Sequence, residues 1–547
     1  MLTLSPPVAD LSPTASAADR GAWKSKLGFI LAASGSAIGL GNIVFFASNA
    51  YQYGGGAFYL PYFIALFVLG IPVMIMEFSL GTMTGRSLPL ALKRLAGTKG
   101  EFVGWWSLAS ALTITMYYIT ILGWALSMLV GAFGSLLEPG AAAPFVGMET
   151  PTAEPSALTW FFGMVATWWP MLAVLAIWTM TILALWRGTE TIEKAVRIFV
   201  PLMWVFMIVL IIRGLTLDGG TDGVLYLFTP NTDGITDISV WQGAFAQMFF
   251  SLSLGLGTMT AYASYLPKDA DQVNNSLLVS FLNCGFEYIA GVAIFAMLFV
   301  YALNPAGTTL SLSFFAVPQG IASFPFWVKG FGVFFFLLLV IAGLTSAVSL
   351  VEGMASALID KLGISRAKAL TFVLVPGIAG SLMYAIPTII DPTLSGNGTL
   401  GLTLLDLVDN WAFRYSLLTV GLLECLLVGW VLGADKLRAA VNQYTKFPLG
   451  PWFDWMIKLV IPAILAFVLI GTLLQDFTQS GGKFSDDGGL YGSGYDMPGF
   501  GWLPNAIPVI WLGFTLALAA FLTTRRTHAV PPHNDAAAPE AIPDPTV

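Results

Sequence analysis

The chain has 547 residues, of which only 10% are charged and 56% are hydrophobic, with a mean hydropathy of +0.79. An ordinary soluble domain carries about 25% charged residues. The composition therefore excludes a soluble enzyme, a disordered chain and a nucleic-acid binder, which needs a basic face. The net charge of −7 comes largely from loops and the C-terminal tail and points to no partner. Cys284 and Cys425 lie inside apolar runs, and His528 and His533 lie in a polar tail. That excludes a disulfide scaffold and a cysteine zinc site, and argues against intramembrane histidine chemistry.

Residues 1–22 are rich in Ser, Pro and Ala and lack an apolar core, so they read as a cytoplasmic tail and not a signal peptide. Uncharged stretches follow throughout the chain. Leu27 to Met76, Phe102 to Leu137, Pro155 to Trp186 and Ile238 to Pro267 contain no charge. Neither do Tyr288 to Val328, Gly330 to Val351, Ala369 to Ile390 and Met497 to Thr524. A bilayer-spanning helix needs about 20 apolar residues. Dividing the runs at glycine, proline and charge predicts twelve spans, centred near residues 38, 68, 116, 177, 202, 252, 288, 344, 377, 415, 464 and 512. Spans 1 and 2 share one run, divided at Tyr53 to Gly56. With the N-terminus cytoplasmic, every Lys and Arg except Arg213, Lys329, Arg414 and Lys483 falls inside. Both termini are then cytoplasmic, and the multi-pass chain is expected in the cell (inner) membrane. Residues 138–157 and 478–500 read as outside loops, and the tail at 527–547 as disordered.

Two spans carry glycine clusters in mid-membrane, Ser34 to Asn42 in span 1 and Ser251 to Thr258 in span 6. A single such cluster usually serves close helix packing. The pair occupies matching positions of two five-span halves, which is the sequence pointer to a binding site between inverted repeats. Unwinding frees N–H and C=O groups that cannot stay unpaired in hydrocarbon. Carbonyls then suit a small cation, and half-helix N-termini suit an anionic group such as a carboxylate. Ser36, Asn42, Ser251 and Ser253 add side-chain oxygens at the same depth.

The residues Trp23 to Leu31, Gly39-Leu-Gly-Asn42, Gly54 to Phe58, Gly70-Ile-Pro72, Glu77 and Tyr117-Tyr118 follow one another in a known order. So do Gln247 to Gly255, Tyr262 to Tyr265, Ala342 to Ser346 and Gly433 to Lys436. From about residue 20 to 526 this pattern resembles the neurotransmitter:sodium symporter family. The resemblance implies an all-α integral membrane protein of twelve helices, a 5+5 inverted repeat with helices 1 and 6 broken, as in the leucine-transporter fold. The transporter domain would span 23–526, with repeat one at about 23–214, repeat two at about 238–432 and the last two helices at about 450–526. It further implies sodium-coupled uptake of a small solute, usually an amino acid, by alternating access. The protein would act as a monomer or weak homodimer and would not be an enzyme.

The resemblance also carries residue roles. One sodium ion would meet the Ala37 carbonyl, Asn42, Ser251 and Asn283, with the substrate carboxylate. A second would meet carbonyls of Gly35, Ile38 and Ala342 and the hydroxyls of Thr345 and Ser346. The substrate would touch Ser36, Gly39, Gly41, Ile114, Tyr118, Phe250, Ser251, Ser253, Leu256, Ser346 and Leu350. Ile114, Leu256 and Leu350 are aliphatic, so a neutral, moderately apolar amino acid is expected. Amine-selective members place an acid where Gly39 stands. Glu287 lies four residues after Asn283 on the same helix face, where chloride-dependent members have a neutral residue, so no chloride requirement is expected. Glu287 could also exchange a proton, and Glu77 and Glu424 read as a structural or shared-proton pair. Arg20 and Asp360 would form the inner gate, with Trp23, Ser264 and Tyr265 beside it.

The pattern departs from the family after Asn42. Phe45 stands where the outer-gate arginine is usual, and Ala47 where the proline is, yet the usual acidic partner remains as Asp409. Arg414, five positions on, or water is expected to satisfy Asp409, with Phe45 making the outer gate partly aromatic. A transporter of taurine, betaine or an amine, a non-transporting solute sensor and a leaky pore remain as alternatives.

Overall fold

The computed structural model describes residues 21–134, 136–137, 157–301, 312–390, 400–478 and 503–528. Arg20, most of the two expected outside loops and the tail beyond His528 lie outside these residues. Among the described residues every regular element is helical, as a long apolar chain in lipid requires.

The helices used below are α1 (Lys26–Ala37), α2 (Phe46–Gln52), α3 (Gly56–Thr84), α4 (Leu88–Phe133), α5 (Trp169–Leu185), α6 (Thr189–Leu215), α7 (Ile238–Ser251), α8 (Thr258–Ala263) and α9 (Gln272–Val300). They continue as α10 (Val328–Leu362), α11 (Arg366–Ile390), α12 (Leu404–Asn442), α13 (Trp452–Gln475) and α14 (Ala506–Thr524). Among the described residues nine helices are long and apolar enough to cross a bilayer, or ten if α1 and the bent segment Gly41–Gln52 form one span. The two other expected centres fall on the shorter apolar helix α5 and on the broken pair α7 and α8. Length and composition alone thus stop short of twelve, because helix breaks and a short helix hide two candidates.

Span 1 breaks as its glycines predict. Helix α1 ends at Ala37, Ile38 is extended at φ −74° and ψ 95°, and the chain resumes in the wide π-turn Gly41–Phe45. The two halves bend by 63°. In span 6, α7 ends at Ser251 and α8 starts at Thr258. Between them Ser253, Gly255 and Gly257 take φ of 54°, 73° and 70°. Only glycine adopts such angles freely, so the spacing of Gly255 and Gly257 terminates the helix in mid-membrane.

Helices α3, α4 and α10 are largely enclosed, whereas α6, α13 and α14 show most of their length to their surroundings. On α6 the exposed Ile198, Val205, Ile208 and Ile212 form one stripe, as a lipid-facing helix needs. Inside, Trp105, Trp124 and Trp178 are fully buried. The Trp178 indole donates to Ser381 Oγ at 3.0 Å, and Ser381 Oγ donates to the Met116 carbonyl at 2.7 Å. One buried polar relay thereby fixes α5, α11 and α4 against each other, since a buried donor must be satisfied.

Candidate binding site at the two helix breaks

Both breaks meet at the centre of the bundle. Ser346 Oγ donates to the Ser36 carbonyl at 2.9 Å, and Ser253 Oγ reaches the same carbonyl at 3.3 Å. The last carbonyls of α1 have no helical partner. Among them the Ser36 carbonyl is met by hydroxyls from α10 and from the broken span 6.

The side chains expected at the first ion position converge. Asn42 Nδ2 donates to Asn283 Oδ1 at 2.7 Å and to Ser251 Oγ at 3.3 Å, and Asn283 Nδ2 donates to Ser251 Oγ at 2.6 Å. Asn42 Oδ1 accepts from the Gly39 N–H at 2.8 Å. Ala37, whose carbonyl was assigned to the same ion, is buried at the end of α1. At the second position Thr345 Oγ1 donates to the Ala342 carbonyl at 2.8 Å, and Ser346 Oγ lies 3.4 Å from it. A methyl at Gly35 would stand 3.5 Å from Thr345 Cβ, so α1 and α10 pack face to face there, with Ile38 buried just beyond. Amide, hydroxyl and carbonyl oxygens without a thiol or imidazole suit a hard alkali cation.

Above this point the Leu40 N–H donates to the Tyr118 hydroxyl at 3.4 Å. A methyl at Gly39 would lie 2.6 Å from Ser346 Oγ and 3.1 Å from that hydroxyl. Gly39 therefore leaves no room for the acid that amine-selective members carry. Gly41 faces the Phe45 ring. Ser36 Oγ donates to Ser349 Oγ at 2.6 Å. Ile114, Leu256 and Leu350 are buried, and Phe250 is half-buried.

Glu287 is fully buried and accepts from Gln247 Nε2 at 2.8 Å. Gln247 Oε1 in turn accepts from Asn49 Nδ2 at 2.9 Å, which ties Glu287 to both interrupted spans. Glu77 Oε1 accepts the Gly255 N–H at 2.7 Å. Ser107 Oγ donates to the Gly255 carbonyl at 2.7 Å.

At the end of the bundle that carries Trp23, the indole donates to the Tyr262 carbonyl at 2.8 Å and packs edge-on against Tyr262 and Tyr265. The Tyr265 hydroxyl donates to Glu352 Oε1 at 2.5 Å, and Glu352 is ion-paired with Arg366. Ser264 Oγ donates to the Ala261 carbonyl at 2.6 Å. Asp360 meets Arg86 at 3.3 Å and accepts from the N–H and hydroxyl of Ser87 at 2.9 and 2.8 Å. The expected partner Arg20 lies outside the described residues.

At the opposite end the expected Arg414–Asp409 pair is not formed. Asp409 Oδ1 accepts from the Tyr117 hydroxyl at 2.6 Å. Arg414 is exposed and makes no ion pair among the described residues. Residues 410–417 are wound as a π-helix, so Arg414 sits on a wider turn than an α-helix gives. Phe45 is half-buried in the π-turn of span 1.

A family model for the sodium:neurotransmitter symporters matches residues 20–142 and 160–523. The chain belongs to that family. This symporter is 38% identical over 487 residues to an uncharacterised sodium-dependent transporter of Methanocaldococcus jannaschii, covering 87% of this chain and 95% of that one. It is 28% identical over 494 residues to the sodium- and chloride-dependent taurine transporter of Rattus norvegicus, covering 83% and 78%. The crystal structure of MhsT in complex with L-phenylalanine superposes with a TM-score of 0.69 at 29% identity, covering 82% of this chain and 99% of that one. The symporter is thus a multi-pass membrane transporter of the leucine-transporter fold and not an enzyme.

Several side chains that organise the symporter's site had no role in the sequence reading. Gln247 lies inside a recognised stretch and Ser349 three residues beyond one, but both bond across helices. Glu352 and Arg366 sit at the ends of apolar runs, where a charge reads as a boundary.

Proposed function

We propose that the protein imports a small neutral, apolar amino acid together with sodium by alternating access, without chloride. The observation that carries this reading is the meeting of both helix breaks at Ser36, where Ser346 and Ser253 converge on one carbonyl. Next to it, Asn42, Ser251 and Asn283 offer oxygens for one sodium, and Thr345, Ser346 and the carbonyls of Gly35, Ile38 and Ala342 for a second. The Tyr118 hydroxyl, which accepts from the Leu40 N–H, supplies a donor of the kind that an α-carboxylate needs. The aliphatic Ile114, Leu256 and Leu350 favour an uncharged side chain, as does the phenylalanine named in the MhsT structure.

Glu287 supports chloride independence. It puts a carboxyl group beside Asn283 and Gln247, where chloride would otherwise supply negative charge. The taurine and GABA transporters among the relatives are described as sodium- and chloride-dependent, and they motivate a second reading, uptake of a small osmolyte. The Lys/Arg distribution supports a cytoplasmic Trp23 end, in keeping with the inner-membrane location proposed for the protein.

The test is uptake into proteoliposomes under an inward sodium gradient, with potassium or choline as control and gluconate replacing chloride. Accumulation of a few neutral amino acids that needs sodium and survives chloride removal is expected. Uptake of taurine or betaine instead would replace the amino-acid reading, and loss of uptake in gluconate would remove the role given to Glu287.

A further inference from the structure

Arg213 is a buried cation that no carboxylate among the described residues pairs with. It lies in the last turn of α6, at the end of the bundle opposite Trp23, and its side chain is more than nine-tenths buried. The guanidinium carbon sits 4.9 Å from the centroids of both Phe324 and Phe326. Nη1 donates to Thr216 Oγ1 at 3.2 Å, and Nε is buried with no acceptor. Among the described residues no carboxylate pairs with it. Two ring faces attract a cation but neither neutralises it nor accepts its N–H groups. Arginine at membrane depth is normally paired.

Among the described residues nothing accepts from Nη2 of the guanidinium. Nε is closed off by the protein, so with Nη1 committed to Thr216 the Nη2 end is the donor left for a charge-assisted hydrogen bond to a carboxylate or phosphate. The surroundings name the carrier of that oxyanion. Ile212 and Leu215 on α6 and Phe326 and Trp327 on the facing turn are all exposed apolar side chains. Aromatics exposed near a span's end mark headgroup depth. Trp327 is braced by edge-on packing against Phe331 and Phe334 of α10.

We propose that the Nη2 end of Arg213 holds the phosphate of an anionic phospholipid, seated at the outer rim between the end of α6 and the Phe324–Trp327 turn. A lipid supplies both what the guanidinium lacks and what the exposed apolar side chains need. This site is separate from the helix breaks and does not depend on the identity of the transported solute.

The test uses the full-length protein, delipidated in detergent and titrated with phosphatidylglycerol, phosphatidylcholine or inorganic phosphate, with bound copies counted by native mass spectrometry. Wild type is expected to retain one phosphatidylglycerol about tenfold more tightly than phosphatidylcholine, and Arg213→Met to lose that preference. Unchanged phosphatidylglycerol retention in a monodisperse Arg213→Met protein overturns the proposal. So does displacement of the lipid by millimolar inorganic phosphate, which would make this a free-anion site. If Arg213→Met does not fold, Arg213→Lys serves, because it keeps the charge and loses the fork. The tight copy is then expected to weaken several-fold, and wild-type retention overturns the proposal.

Discussion

The Tyr117 hydroxyl donates a 2.6 Å hydrogen bond to Asp409, joining α4 to α12 across the end of the bundle where Phe45 has replaced the family's usual arginine. A neutral phenol thus occupies a place where a cation is expected. Hydrogen bonds to a carboxylate contribute about 1.5–3 kcal/mol, against about 1 kcal/mol for neutral pairs. Tyr117→Phe is therefore expected to lower apparent substrate affinity roughly tenfold or more, measured by equilibrium binding. Arg414→Ala, tested beside it, is expected to leave uptake within about twofold of wild type, in the range of an ordinary surface substitution. A large loss in the arginine variant would reinstate it as part of the outer gate.

Gly39 has no room for a side chain. A methyl there would lie 2.6 Å from Ser346 Oγ, which is itself committed to the Ser36 carbonyl. Gly39→Ala is expected to push that hydroxyl aside and weaken both substrate binding and the sodium dependence assigned to Ser346. The cost of overpacking is typically about 1–3 kcal/mol, or roughly tenfold to a hundredfold in affinity. Separate titrations of substrate and sodium read the two effects. A change in substrate affinity alone would detach Ser346 from the second ion.

Glu287 can be exchanged for chloride if the charge argument holds. Glu287→Ser removes the carboxyl group that Gln247 now contacts. Uptake by this variant is expected to collapse in gluconate and to recover with added chloride. A variant that is inactive in both media, yet folded, would mean that Glu287 serves the protein through a hydrogen bond and not through its charge.

Glu352 and Arg366 form a buried ion pair that also holds Tyr265. Breaking such a pair from one side costs about 3–5 kcal/mol, because the remaining charge is stranded. Glu352→Gln is expected to lower the thermal midpoint more than the double variant Glu352→Leu, Arg366→Met. Equal losses would show that the pair acts only by packing.

How much of this was legible in the sequence differs between backbone and side chains. The breaks at Ile38 to Leu40 and at Leu252 to Gly257 follow from local composition, since glycine clusters weaken a helix wherever the bundle puts them. The grouping of Asn42, Ser251 and Asn283 followed from family resemblance, and Asn42 and Ser251 belong to stretches quoted for it. Tyr117 was visible as part of a motif, but its bond to Asp409 lies 292 residues away. Such a bond depends on the rotational phase of two helices, which neither helix encodes alone. Glu352 was lost for a simpler reason. An apolar run that stops at Val351 looks finished, although α10 continues to Leu362.

Gly255 is gripped at both of its peptide groups, its N–H by Glu77 on α3 and its carbonyl by Ser107 on α4. The interruption in span 6 is therefore a pinned joint, and the interruption in span 1 turns at the single extended residue Ile38. Helix α1 is a rod of 12 residues, about 18 Å long at 1.5 Å per residue. Turning such a rod by ~10° about Ile38 carries its Trp23 end ~3 Å, about one water diameter. A small rotation at one extended residue would be geared up into a passage at the membrane face, with the other half of the site held as its fixed bearing.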